Sequence, residues 1–247
     1  MCGAAGAEVG RVYRLGFYRC VAVALLFAAC AGVTTAAESV APDTSAPVAT
    51  TNPPVRFLGG GVYDIGGVRL NKNERRVTFA AAVNARVETV EYALVHKTGK
   101  THESIFRTET RPLDLQVALL LLGVKGSMTN GFGADGKGVP VGEKIWIQVA
   151  WTNQSQRVQC PLEDVVFNRE TKTAMPRGAW IYNGSNFSEG SFTAQRDGSI
   201  VSIHSDADAL CNNPRPGREN DDLYEPHAAK LPPVGTPVEI IFRLTPP

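Results

Sequence analysis

One stretch, residues 112–122, restricts what this chain can fold into more than any other. From Leu113 to Leu122 apolar side chains occupy almost every position, so no polar stripe is left to face water as on a surface helix. The run predicts one helix buried on most of its sides, with Leu119 and Leu120 both in the core. Its ends carry matching signals: Pro112 fits a first helical turn, Asp114 complements the positive end of the helix dipole, and Gly123 followed by Lys125 fits a stop. The rest of the chain must then supply the walls around it.

Those walls read as strands. Residues 68–70, 75–83, 87–96 and 101–108 are short β-prone pieces between turn clusters, and the simplest arrangement is an antiparallel meander leading into the helix. Val77, Phe79 and Ala81 share one face of the second piece, and Val90, Tyr92 and Leu94 share one face of the third. Beyond a glycine-loaded loop at 126–142, residues 144–152 place Ile145, Ile147, Val149 and Trp151 on one face. The closing strand, 238–244, repeats the arrangement with Val238, Ile240, Phe242 and Leu244, and a Pro-Val-Gly triplet (140–142 and 233–235) enters each of the two. Shorter strands are expected at 162–167, 179–182, 191–195 and 200–204, a helical turn at 206–210, and a long surface loop over 210–230. The expected fold class is mainly β (α+β): antiparallel strands packed around one buried central helix, in two closely packed β-rich lobes, 55–152 and 153–247.

The first residues have a different character. Over 1–37, Arg11, Arg14 and Arg19 precede an apolar run and then small residues, the order of a signal peptide. The run is shorter than the about 20 residues a spanning helix needs, so no transmembrane span is expected after processing. Cleavage after Ala37 is one reading. The other is a lipid anchor at Cys30, because Phe27-Ala28-Ala29-Cys30 resembles a lipobox with Phe27 where leucine is usual. Residues 38–54, rich in Pro, Thr and Ala, read as a solvated linker. The folded part is therefore expected outside the cytoplasm, periplasmic or secreted, and either released or membrane-anchored as a lipoprotein. With a formal net charge of +1 and scattered Lys and Arg, no basic stripe marks a nucleic-acid binder. Cleavage would leave Cys160 and Cys211. In an oxidising compartment these allow one disulfide, and the competing reading is two small buried thiols.

Candidate site residues gather just before the apolar run: Lys100, His102, Glu103 and Ser104. On a strand His102 and Glu103 point to opposite faces, so they serve one site only where the backbone bends. His102 can act as a metal ligand or general base with a partner from the second half, such as His204, Asp206, Asp208 or His227. His204, Asp206 and Asp208 alternate and can line one face. No metal-spacing motif such as H-E-x-x-H accompanies them, and a half-buried histidine bonded to backbone is the plainer reading. Asp221, Asp222 and Glu225 read as a solvated acidic patch. Residues 131–136 match G-x-G-x-x-G, but a helix precedes them and a strand follows, the reverse of a phosphate-binding loop.

Lys100, His102-Glu103-Ser104 and the pattern Leu115-Gln116-x-Ala118-Leu119-Leu120-Leu121-Leu122-Gly123 together resemble the YdjY-like domain family of exported bacterial proteins, over roughly residues 61–151. Asp208-Ala209-Leu210 and Gly235-Thr236-Pro237-Val238 look like the C-terminal part of longer members. The resemblance implies no established activity. Some members carry a label suggesting an iron-sulfur protein; such a cluster takes about four cysteine ligands, more than the processed chain retains, and no cofactor is assigned. The leading expectation is a non-catalytic exported module that binds a ligand or partner of unspecified kind. The alternative is a metal-dependent or acid-base enzyme centred on His102.

Overall fold

Glycine turns set the beginning of the fold. Strands β1 (Val55–Gly59), β2 (Val62–Ile65) and β3 (Val68–Asn71) run antiparallel. Gly66 and Gly67, both at positive φ, make the reversal between β2 and β3 in a conformation that glycine adopts at little cost. Strand β4 (Arg76–Val83) buries the alternating Val77, Phe79, Ala81 and Val83. The computed structural model describes residues 54–84, 88–127, 131–132 and 138–247. The expected signal peptide 1–37 with Cys30, the expected linker up to residue 53, residues 85–87 and part of the glycine loop (128–130 and 133–137) lie outside the described residues.

The middle of the chain departs from a meander. Strands β5 (Tyr92–His96) and β6 (Ser104–Thr108) pair parallel, because the connection 97–103 doubles back along the sheet instead of turning a hairpin. Backbone bonds hold it there: Lys97 N donates to Thr108 O at 2.9 Å and Glu91 N to Glu103 O at 3.1 Å. Thr101–Glu103 is a 3-10 turn, not the start of a strand. β4 shares one edge between two partners, residues 76–78 with β3 and 82–83 with β6. Between those two pairings Thr108 Oγ1 donates to the Ala80 carbonyl at 2.6 Å.

The second half completes a closed sheet. In order come β7 (Glu143–Asn153), β8 (Gln156–Pro161), β9 (Val166–Asn168), β10 (Thr173–Ala174), β11 (Trp180–Tyr182), β12 (Phe187–Ser188), β13 (Ser191–Phe192), β14 (Ser199–Ser202), β15 (Cys211–Asn212), β16 (Tyr224–Pro226) and β17 (Pro237–Arg243). Hydrogen bonding runs β4-β17-β7-β11-β15-β14-β5-β6 and returns to β4, an eight-stranded barrel. Closure leaves these strands no open edge. The two strands introduced by Pro-Val-Gly are neighbours, with Ile240 opposite Val149 and Phe242 opposite Ile147. Phe79 meets Phe242 edge-on at 5.5 Å in the core. β7 spans residue 152, and one ring combines strands of both halves, with β17 between β4 and β7, so the sheet runs across the expected boundary between lobes.

Helix α1 (Pro112–Leu121) exists where expected, but its burial is one-sided. It packs against β2, β3 and a second short helix, α2 (Thr193–Asp197). Leu115, Ala118 and Leu119 are buried, whereas Leu120 is 53% and Leu121 40% exposed. Strand side chains already fill much of the core, and the helix flanks the sheet instead of standing at its centre. Asp114 is buried and holds Arg111 at 2.7 Å. The β2–β3 turn presses on it so closely that a Cβ on Gly66 would lie 2.2 Å from its carboxylate.

Five further expectations are corrected. Residues 191–195 run from β13 into α2, 162–165 form a 3-10 turn, and 206–209 make non-helical turns. The segment 210–230 is not a surface loop throughout: β15 is a strand of the barrel wall, and Asn212, Asn213 and Arg215 are buried with internal partners. Cys160 and Cys211 are both free. They sit on β8 and β15, three strand positions apart through β7 and β11. Each step is about 4.8 Å, against a Cα separation of about 4.4–6.8 Å for a disulfide. Burial pushes the Cys160 thiol up to about 11, and that of Cys211 further, so both behave as small apolar residues.

Candidate functional site

Two glycines from opposite halves of the chain bring the candidate residues together. A Cβ on Gly198, which caps α2 at φ 71°, would lie 2.7 Å from the Gly99 Cα, and one on Gly99 would lie 2.9 Å from the Asp197 carbonyl. The β5–β6 connection therefore rests backbone to backbone on the end of α2, and His96 N donates to Gly198 O at 2.8 Å. Either side chain would push the segments apart. Beside this contact opens a cleft of about 490 Å3, lined by Tyr92, Lys100, His102, Arg196, Asp206 and Asp208 together with Thr98, Gly99, Asp197 and Ser199.

The charged groups of the cleft are mutually engaged. Lys100 Nζ lies 3.1 Å from Glu103 and 3.5 Å from Glu91, and 5.2 Å above the Tyr92 ring. Partial burial pulls its ammonium down, but the two carboxylates outweigh that and hold it above the ordinary lysine value. Tyr92 donates its hydroxyl to Asp206 Oδ2 at 2.9 Å, and burial with the nearby Asp206 charge pushes the phenol far up. Asp206 Oδ1 accepts the Asp208 backbone N–H at 2.9 Å. Arg196 grips Asp197 with two contacts of 2.7 Å.

Buried amides fix the loop that carries the two aspartates. Asn212 accepts from Asp206 N at 2.9 Å and donates to Asp206 O at 2.7 Å. Asn183 donates to Ala209 O at 3.0 Å, and Asn186 to Ala207 O at 3.0 Å. The Ala209 carbonyl sits in the interior, where an unpaired one is costly, and those of Asp206 and Ala207 are half-buried.

The structure sorts the sequence candidates. Lys100, His102, Asp206 and Asp208 share the cleft, with the His102 side chain 79% exposed at its edge. Glu103 stands behind Lys100 as its partner. Ser104 is fully buried, where its hydroxyl accepts from Asn84 at 3.1 Å and donates to Thr101 O at 3.2 Å, so it supports the turn and does not face the cleft. His204 and His227 are not among the lining residues; His227 Nδ1 meets the Asp164 carbonyl at 2.9 Å. Among the described residues no three His, Cys, Asp or Glu side chains are grouped so as to hold a metal ion. Sequence reading missed Arg196, Asp197 and Ser199 as lining residues, and placed Tyr92 only as a core residue. Gly99 and Gly198, each at the end of a turn, were the available signal.

A closed, mainly β barrel with α1 and the short α2 packed together beside it and an open polar cleft at the end of α2 is a scaffold-and-loop arrangement. The family model of the YdjY domain matches residues 68–243, from β3 to the end of β17, and the chain belongs to that family. No curated protein and no solved structure matches it.

Proposed function

We propose that the protein is an extracytoplasmic, non-catalytic ligand-binding module whose ligand seat is the cleft between the β5–β6 connection and the end of α2. One observation carries this reading. Every ionisable side chain lining the cleft already has a partner: Lys100 with Glu91 and Glu103, His102 beside Glu103, Arg196 with Asp197, Asp206 with Tyr92, and Asp208 with Asn186. Groups that hold one another in place make a rigid polar surface, which suits recognition. Cations and carboxylates nearly balance, which favours a polar ligand without net charge, zwitterionic or rich in hydroxyls. The signal-peptide pattern supports export, with release after residue 37 or a lipid anchor at Cys30 as the two forms of delivery.

Thermal-shift titration against neutral disaccharides and dipeptides tests this. A rise in Tm for at least one compound, abolished in the Lys100→Ala/Arg196→Ala double variant, is expected. A panel without effect on the wild type, or a shift that survives in the variant, contradicts it. A second reading, a metal-dependent or acid-base enzyme centred on His102, draws on one fact: His102 lines the same cleft as Asp206 and Asp208. Stoichiometric metal in protein from its native host, lost in His102→Ala, would decide for that reading.

A further inference from the structure

A second hollow, of about 450 Å3, lies on the outward face of the sheet across β3, β4, β17, β7 and β8. Its floor is made of small residues in register: Ala80 stands opposite Glu239, and Glu239 opposite Ala150. Arg69 and Arg76 flank one side and Arg157 the other. Strand register brings two more arginines onto this face, since Arg243 is directly opposite Arg76 and Arg56 directly opposite Asp64.

The charges do not cancel. Arg56 pairs with Asp64 at 3.2 Å, Arg76 with Glu74 at 2.9 Å, and Arg157 with Glu239 at 2.5 Å. Arg69 and Arg243 are left with no side-chain hydrogen bond or ion pair among the described residues, and Arg243 Nε is buried without an acceptor. Like charges directly opposite in a sheet destabilise it, and a buried donor without a partner costs free energy. With Arg69 opposite Asp64, which Arg56 already holds, the face beside the hollow keeps a net positive charge that favours an anion.

We propose that this outer face is a binding site, separate from the cleft, for the oxyanion group of a small organic ligand. Arg69, which lines the hollow, supplies the planar donor that suits a carboxylate or a phosphate, and Arg243, opposite Arg76 but outside the lining, adds positive charge beside it. The body of the ligand occupies the hollow above Ala80 and Ala150, and Glu239, already held by Arg157, accepts from a hydroxyl or ammonium of the ligand.

Citrate and pyrophosphate serve as probes in calorimetric titrations of the full processed chain at low ionic strength. At least one is expected to bind, with affinity about tenfold weaker in Arg69→Ala and falling with added salt. Arg177→Ala, at an ion pair elsewhere on the surface, should leave binding unchanged. Citrate alone binding assigns a carboxylate ligand, pyrophosphate alone a phosphate. Arg69 is exposed, so its variant keeps the fold. Absence of binding by both probes, or equal affinity in wild type and Arg69→Ala, overturns the proposal.

Discussion

Leu119 and Leu120 are adjacent leucines in the same helix, and the structure gives them opposite weights. Leu119 is fully buried against the core, while Leu120 is 53% exposed at the C-terminal end of α1. Replacing Leu119 by alanine removes its buried methyl groups and leaves a cavity, at a cost of about 2.7–5 kcal/mol. The same change at Leu120 removes side chain that water already reaches, so it should cost about 0.5 kcal/mol or less. In a domain of this size 1 kcal/mol moves Tm by about 2–4 °C, which gives a fall of roughly 5–20 °C for Leu119→Ala against about 2 °C for Leu120→Ala. Urea unfolding followed by tryptophan fluorescence provides the free energies, and an unchanged m-value shows that the denatured state is the same. Equal losses in the two variants, or a larger one at Leu120, would refute the one-sided burial of α1.

Other predictions rest on different contacts. Glu163 and Arg215 form a buried pair at 2.6 Å, with Trp180 Nε1 donating to the same carboxylate at 2.9 Å; Glu163→Ala strands the guanidinium and should cost about 3–5 kcal/mol in urea unfolding. Gly198→Ala forces a side chain into positive φ and against Gly99, and a melt should show destabilisation of more than about 1 kcal/mol. Burial holds the buried His96 below the ordinary histidine pKa, so the unfolded chain takes up its proton first and stability should fall as pH drops through about 6.5. His96→Gln should flatten that part of the pH profile of Tm. Peptide mapping of unreduced protein alkylated in denaturant should find Cys160 and Cys211 both labelled; a linked peptide pair would contradict the strand separation.

Much of the barrel was legible in the sequence because period-2 alternation is a local signal. β4, β7 and β17 alternate buried and less buried residues over long runs, and all three lie within a residue or two of their expected bounds. Partner choice was not legible. Nothing local in residues 92–108 says that β5 and β6 run parallel, since that depends on β14 taking the other side of β5. The apolar run of α1 predicted a helix correctly and its burial wrongly, because composition does not tell which sides of a helix find a neighbour. In the cleft, Lys100 and His102 were visible as chemistry-bearing residues, and Asp206 and Asp208 as their partners in space. Arg196, Asp197 and the asparagines that pin the loop were not, because single polar residues between short strands look like ordinary turns. β15 was hidden for a related reason: Asn212 and Asn213 are buried polar residues whose partners come from other parts of the chain.

The central claim is that the cleft between the β5–β6 connection and the end of α2 receives the ligand. Hydrogen–deuterium exchange on the protein, with and without the compound that raises Tm most, tests it directly. Protection of peptides covering 97–103 and 196–208, absent in the Lys100→Ala/Arg196→Ala double variant, is the predicted result. Protection confined to other segments, or unchanged by the double variant, would contradict it.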